Sequence, residues 1–89
     1  MDENENYLQE QISRFKIKAR QFLKNNTRAF VVDTKNTYYF CIIQEPLEED
    51  FFWIENFKGQ REGQKEKIYW IDVTRLEEYK EEVKNGKQY

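Results

Sequence analysis

Thr37-Tyr38-Tyr39-Phe40-Cys41-Ile42-Ile43-Gln44 is the stretch on which the fold turns. In an extended chain Tyr38, Phe40 and Ile42 point to one side and Tyr39, Cys41 and Ile43 to the other. A strand apolar on both sides is covered on both sides, so this segment predicts a strand buried on both of its faces. Upstream, Ala29-Phe30-Val31-Val32 is a short β-branched run, and Asp33-Thr34-Lys35-Asn36 supplies the side chains that form a hairpin turn. Downstream, Glu45-Pro46-Leu47-Glu48-Glu49-Asp50 reads as an acidic turn and Phe51 to Phe57 as a third strand. Residues 58–67 hold Gly59 and Gly63 and no apolar side chain, which makes them a loop, and Ile68 to Val73 reads as a fourth strand.

The ends of the chain follow other rules. Leu8, Ile12, Phe15, Ala19 and Phe22, with Leu23 beside it, are spaced 4, 3, 4 and 3 apart, which predicts an amphipathic helix over 7–24. It should stop at Asn25-Asn26-Thr27, a cluster of poor helix formers. At the other end Thr74-Arg75-Leu76-Glu77 matches a capping box, with Tyr79 and Val83 at helical spacing before Gly86. The same residues also suit a short fifth strand. Local chemistry favours the helix, whereas closing a barrel would require the strand.

With 89 residues the chain has room for one domain and one core: helix 7–24, barrel 28–80 and a C-terminal tail 81–89. There is no histidine, which removes the commonest acid/base, the commonest metal ligand and every imidazole triad. One cysteine, Cys41, allows neither an internal disulfide nor a thiolate zinc site. Ser13 lies within the basic helix with no base to activate it, and the two loop glycines do not precede a helix as a phosphate cradle would. The carboxylates of 48–50 and of Glu77, Glu78, Glu81 and Glu82 read as solvated charge. No enzyme, cofactor or metal is therefore expected. The absence of a long apolar run or a signal-like N-terminus leads us to expect a cytoplasmic protein without membrane contact.

A helix followed by four or five short strands with a long second strand resembles the Sm-like group of small barrels over residues 7–80. The matching elements are the opening helix, Phe30-Val31-Val32-Asp33 leading into a hairpin, the long strand ending at Glu48-Glu49-Asp50, and Ile68-Tyr69-Trp70-Ile71-Asp72-Val73 followed by Leu76. The resemblance implies a mainly β fold, an SH3- or Sm-like bent antiparallel barrel. The alternative is an α+β, four-stranded antiparallel sheet flanked by two helices. The resemblance also implies RNA as ligand. At the positions where the family holds RNA bases this chain carries Phe40 or Cys41 for a glycine, Phe51-Phe52 near the family's Asn, and Trp70-Ile71 for Arg-Gly.

Charge and aromaticity single out two surfaces. The net charge of −2 conceals segregation: residues 1–11 carry −4 and residues 12–28 carry +6. Arg14, Lys18, Arg20 and Lys24 on the helix, extended by Arg28 and the loop cations Lys58, Arg61, Lys65 and Lys67, form a candidate phosphate-binding face. Ile17, isolated among these cations, fits a protein partner better than a phosphate. The rings, 7 Phe, 6 Tyr and 2 Trp, exceed what one small barrel can bury, so Trp53, Tyr69 and Trp70 are candidate stacking residues. The expected function is a non-enzymatic module that binds RNA or single-stranded nucleic acid. The alternative is a protein-binding adaptor or inhibitor such as a small viral or mobile-element accessory protein. Unpaired edge strands would also permit homo-oligomers.

Overall fold

The computed structural model describes residues 3–80. Helix α1 (Glu3–Asn25) is followed by β1 (Arg28–Asp33), β2 (Tyr38–Leu47), β3 (Phe51–Asn56) and β4 (Lys65–Tyr69). A single 3-10 turn, η1 (Trp70–Asp72), then leads into β5 (Val73–Glu78). The strands form one antiparallel sheet in the order β4-β3-β2-β1-β5, so β2 is central. Among the described residues no ladder joins the two edge strands, and the sheet is open rather than a closed barrel.

Helix α1 ends where its sequence says it should. Asn26 adopts a left-handed φ of 54°. Its N–H reaches the Leu23 carbonyl at 3.3 Å while that of Thr27 reaches Phe22 at 2.9 Å, the paired bonds of a Schellman cap. The C-terminal part of the apolar stripe, Ile12, Phe15, Ala19, Phe22 and Leu23, lies on the sheet. There it meets Ala29 and Val31 of β1, Tyr39, Cys41 and Ile43 of β2, Phe52 and Ile54 of β3, Ile68 of β4, and Val73 and Leu76 of β5. Both edges of the sheet thus contribute to one core under the helix.

The β1–β2 hairpin is organised by Asp33. Its carboxylate accepts the backbone N–H groups of Lys35 and Thr37, each at 2.9 Å, and the Tyr39 hydroxyl at 3.0 Å, while Asn36 takes the left-handed turn position at φ 64°. Strand β2 runs to Leu47, beyond the expected end at Gln44. Its register with β3 shifts between Gln44 and Leu47, around Pro46, which has no N–H to give to a ladder.

Three expectations are corrected. The fourth strand starts at Lys65 and ends at Tyr69, because Trp70 is drawn into the core. Its N–H donates to Asp50 at 3.0 Å and its indole to the Glu48 carbonyl at 2.9 Å, which turns the chain through η1. The C-terminal helix starting at Thr74, favoured from the capping box, is instead β5, and the second flanking helix of the α+β alternative has no counterpart in the described residues. Thr74 donates its hydroxyl to the Val32 carbonyl at 3.0 Å instead of capping, and β5 supplies the backbone partners that the free edge of β1 needs. Val83, Gly86 and the rest of the tail 81–89 lie outside the described residues. Finally, among the described residues β2 is not covered by a second layer on both sides. Tyr39, Cys41 and Ile43 are buried beneath α1, whereas Phe40 and Ile42 on the opposite face are only half-buried and Tyr38 is exposed.

Candidate functional site

The face of the sheet turned away from α1 is built by strand alternation. Arg28, Phe30 and Val32 of β1 stand on it beside Ile42, Phe40 and Tyr38 of β2. Gln44 is paired with Trp53, Ile42 with Glu55, Trp53 with Lys67, Glu55 with Lys65 and Phe51 with Tyr69. Arg75 and Glu77 of β5 complete it opposite Val32 and Phe30.

Its rings form two groups. In the first, Phe30 stacks on Phe40 (centroids 5.6 Å, interplanar angle 28°) and meets Tyr38 edge-on at 5.6 Å. Tyr79 meets Phe40 at 5.7 Å and Phe57 at 5.2 Å, both edge-on. In the second group Phe51 meets Tyr69 at 5.8 Å, with Trp53 beside them. Tyr38 and Tyr69 are the most open rings of these groups, 56% and 44% exposed.

Cations lie over these rings. Arg28 sits 4.9 Å from the Phe57 centroid, Arg75 5.2 Å from Phe30, and Lys58 5.4 Å from Phe40 while donating to the Tyr79 hydroxyl at 2.8 Å. Lys67 stands among Phe51, Trp53 and Tyr69 at 4.5, 5.7 and 5.7 Å. The strand positions of this face, with the adjoining Lys58, carry Arg28, Lys58, Lys65, Lys67 and Arg75 against Glu55 and Glu77. Five cations thus face two carboxylates, on a chain whose net charge is −2. Arg75 and Glu77 bond to each other at 3.0 Å. That pairing raises the arginine pKa and lowers that of the glutamate.

The sequence-derived site residues divide between two sides of the molecule. Arg28, Trp53 and Tyr69 belong to the aromatic face. Arg14, Lys18, Arg20 and Lys24 do not join it, because α1 packs on the opposite side of the sheet. Arg14 pairs with Glu10 at 3.8 Å, and Lys18 donates to the Leu76 carbonyl at 3.0 Å. Arg61 is occupied with Glu66 at 3.2 Å and lies 5.5 Å from the buried Tyr39 ring, where it helps to hold the 57–64 loop. In the same network buried Asn56 donates to Gln64 and Glu66.

Trp70 is a correction. At 2% exposure it stacks on Phe52 at 4.2 Å, so its face is not available to a ligand. Sequence reasoning missed Arg75, Phe30, Phe40 and Tyr79, and it attached Lys58, Lys65 and Lys67 as loop cations to the helix patch rather than to this sheet face. The signal for the lysines was the period-2 alternation of Lys65, Lys67 and Tyr69, obscured because the strand was placed to begin at Ile68.

Among the described residues no group of His, Cys, Asp or Glu side chains could hold a metal ion, and no helix is long and apolar enough to cross a membrane. Compared with protein-family models, curated proteins and solved structures, the chain matches none.

Proposed function

We propose that this protein is a binding module whose aromatic sheet face takes single-stranded nucleic acid, with RNA the class favoured by the Sm-like resemblance. The observation that carries this reading is the alternation of flat rings with cations across adjacent strands, centred on Lys67 among Phe51, Trp53 and Tyr69. Rings stack on bases of any sequence, and cations beside them meet the phosphates that link those bases. The exposed rings Tyr38 and Tyr69 are the first stacking platforms, with Trp53 as a partly open third. Arg28, Lys58, Lys65, Lys67 and Arg75 supply the positive field. The reading requires no catalytic group.

Fluorescence anisotropy of a labelled mixed-sequence RNA, with single-stranded and duplex DNA alongside, tests it. Binding should weaken steeply with salt and favour single strands over duplex. Tyr69→Ala should weaken it by at least about fivefold, the loss of one stacked base. Lys67→Glu should weaken it and flatten the salt slope, whereas Lys24→Glu on the far side should leave it unchanged. No binding at low salt, or equal losses from Lys24→Glu and Lys67→Glu, would refute the sheet face as the site.

A further inference from the structure

The solvent side of α1 has a feature that the sheet-face reading leaves unused. Tyr7 is 64% exposed and Ile17 53%, and both lie on the side of the helix turned away from the core. Tyr7, Glu10, Arg14, Ile17 and Gln21 follow one another at steps of 3, 4, 3 and 4. At about 100° per residue they occupy a strip roughly 80° wide, the narrow seam of a two-helix coiled coil rather than the broad face of a helix on a sheet. Glu10 and Arg14 within this seam are exposed, their side chains 67% and 76% accessible, with only a 3.8 Å contact between them.

We infer that this seam pairs antiparallel with the same seam of a second copy of the chain. Placing the two-fold axis level with residue 12 brings together positions whose numbers sum to 24. Tyr7 then lies against Ile17 of the second copy and Glu10 against its Arg14, and each contact occurs twice. Charge selects the direction. The −3 of helix residues 3–11 runs along the +4 of residues 13–21 of the other copy, whereas a parallel pair would set like against like. Opposed helix dipoles favour the same direction. Ile17, 53% exposed among the described residues, gains an apolar partner.

A single helix pair buries less than the ~1,600 Å² of a standard interface, which puts the pairing in the small, transient class. The seam lies on the far side of the molecule from the aromatic face, so a dimer presents two such faces outward.

Sedimentation equilibrium from low to high micromolar concentration, at low and high salt, tests the pairing. A monomer–dimer equilibrium that weakens with salt is expected. Glu10→Arg and Arg14→Glu should each weaken dimerisation about tenfold by placing like charges together twice, and the double exchange should restore it. Helix content by circular dichroism, unchanged in all three variants, separates this from loss of folding. The double variant Tyr7→Cys/Ile17→Cys should oxidise to a covalent dimer, with buried Cys41 remaining silent. A monomer at every concentration would overturn the proposal. So would a dimer indifferent to the charge exchanges, or a Cys pair that fails to cross-link.

Discussion

Replacing Trp70 by Phe separates a buried ring from a ligand-facing one. Trp70 is 2% exposed, stacks on Phe52 at 4.2 Å and donates its indole N–H to the Glu48 carbonyl at 2.9 Å. Loss of that hydrogen bond costs about 1 kcal/mol. The smaller ring leaves roughly 40 Å³ unfilled, which at ~24 cal/mol per Å³ costs about 1 kcal/mol more. Lost transfer of the removed carbon atoms brings the total to about 2–3 kcal/mol. For a domain of this size that corresponds to a fall in Tm of roughly 10–20 °C. Urea unfolding followed by far-UV circular dichroism measures it. Trp53→Phe, on the half-buried outer face, should cost under about 1 kcal/mol but reduce oligonucleotide affinity. The two single-tryptophan proteins left by these variants give a second readout. The one retaining Trp70 should emit to the blue and resist acrylamide, and the one retaining Trp53 should be quenched more readily. A Trp70→Phe protein within about 0.5 kcal/mol of the parent would refute the core assignment of this ring.

Two further outcomes concern titratable groups. Burial pushes the Asp33 carboxyl upward, but hydrogen bonds from Thr37 N–H, the Tyr39 hydroxyl and Lys35 N–H outweigh it, leaving the pKa below its ordinary value. A depressed carboxylate stabilises the fold above its unfolded pKa of about 3.9, and that contribution is lost as pH falls through the folded value. Urea midpoints at neutral pH and near pH 3 should therefore differ less in Asp33→Asn than in the parent; an unchanged difference would remove Asp33 from the acid response. Burial, reinforced by the nearby Glu66 charge, pushes the Cys41 thiol up to about 12. At mildly alkaline pH a disulfide reagent should label it at least about a hundredfold more slowly in the folded protein than in urea. Equal rates would place the thiol outside the core.

The local elements were legible where their chemistry is local. The 4, 3, 4, 3 spacing from Leu8 to Phe22 specifies a helix whatever surrounds it, and Asn26 ends it because a left-handed residue can close the cap there. Asp33 and Asn36 make their turn with hydrogen bonds that span only a few residues. The unbroken run of aromatic and β-branched residues through Tyr38–Ile43 announced a strand, because such side chains suit an extended, pleated backbone.

Tertiary structure decided what depends on distant partners. Thr74-Arg75-Leu76-Glu77 has the local chemistry of a helix start, yet it became a strand because β1 offered an unpaired edge and the core a place for Leu76. Trp70 and Tyr69 are adjacent rings of similar character, and no local rule assigns one to the core and the other to the surface. Phe52 and the Glu48 carbonyl, 18 and 22 residues away, capture Trp70. The candidate site is likewise a product of pairing. Lys67 meets three rings on β3 and β4 only because the register sets it opposite Trp53, so that a lysine the sequence places in a loop beside the helix patch becomes the centre of an aromatic surface.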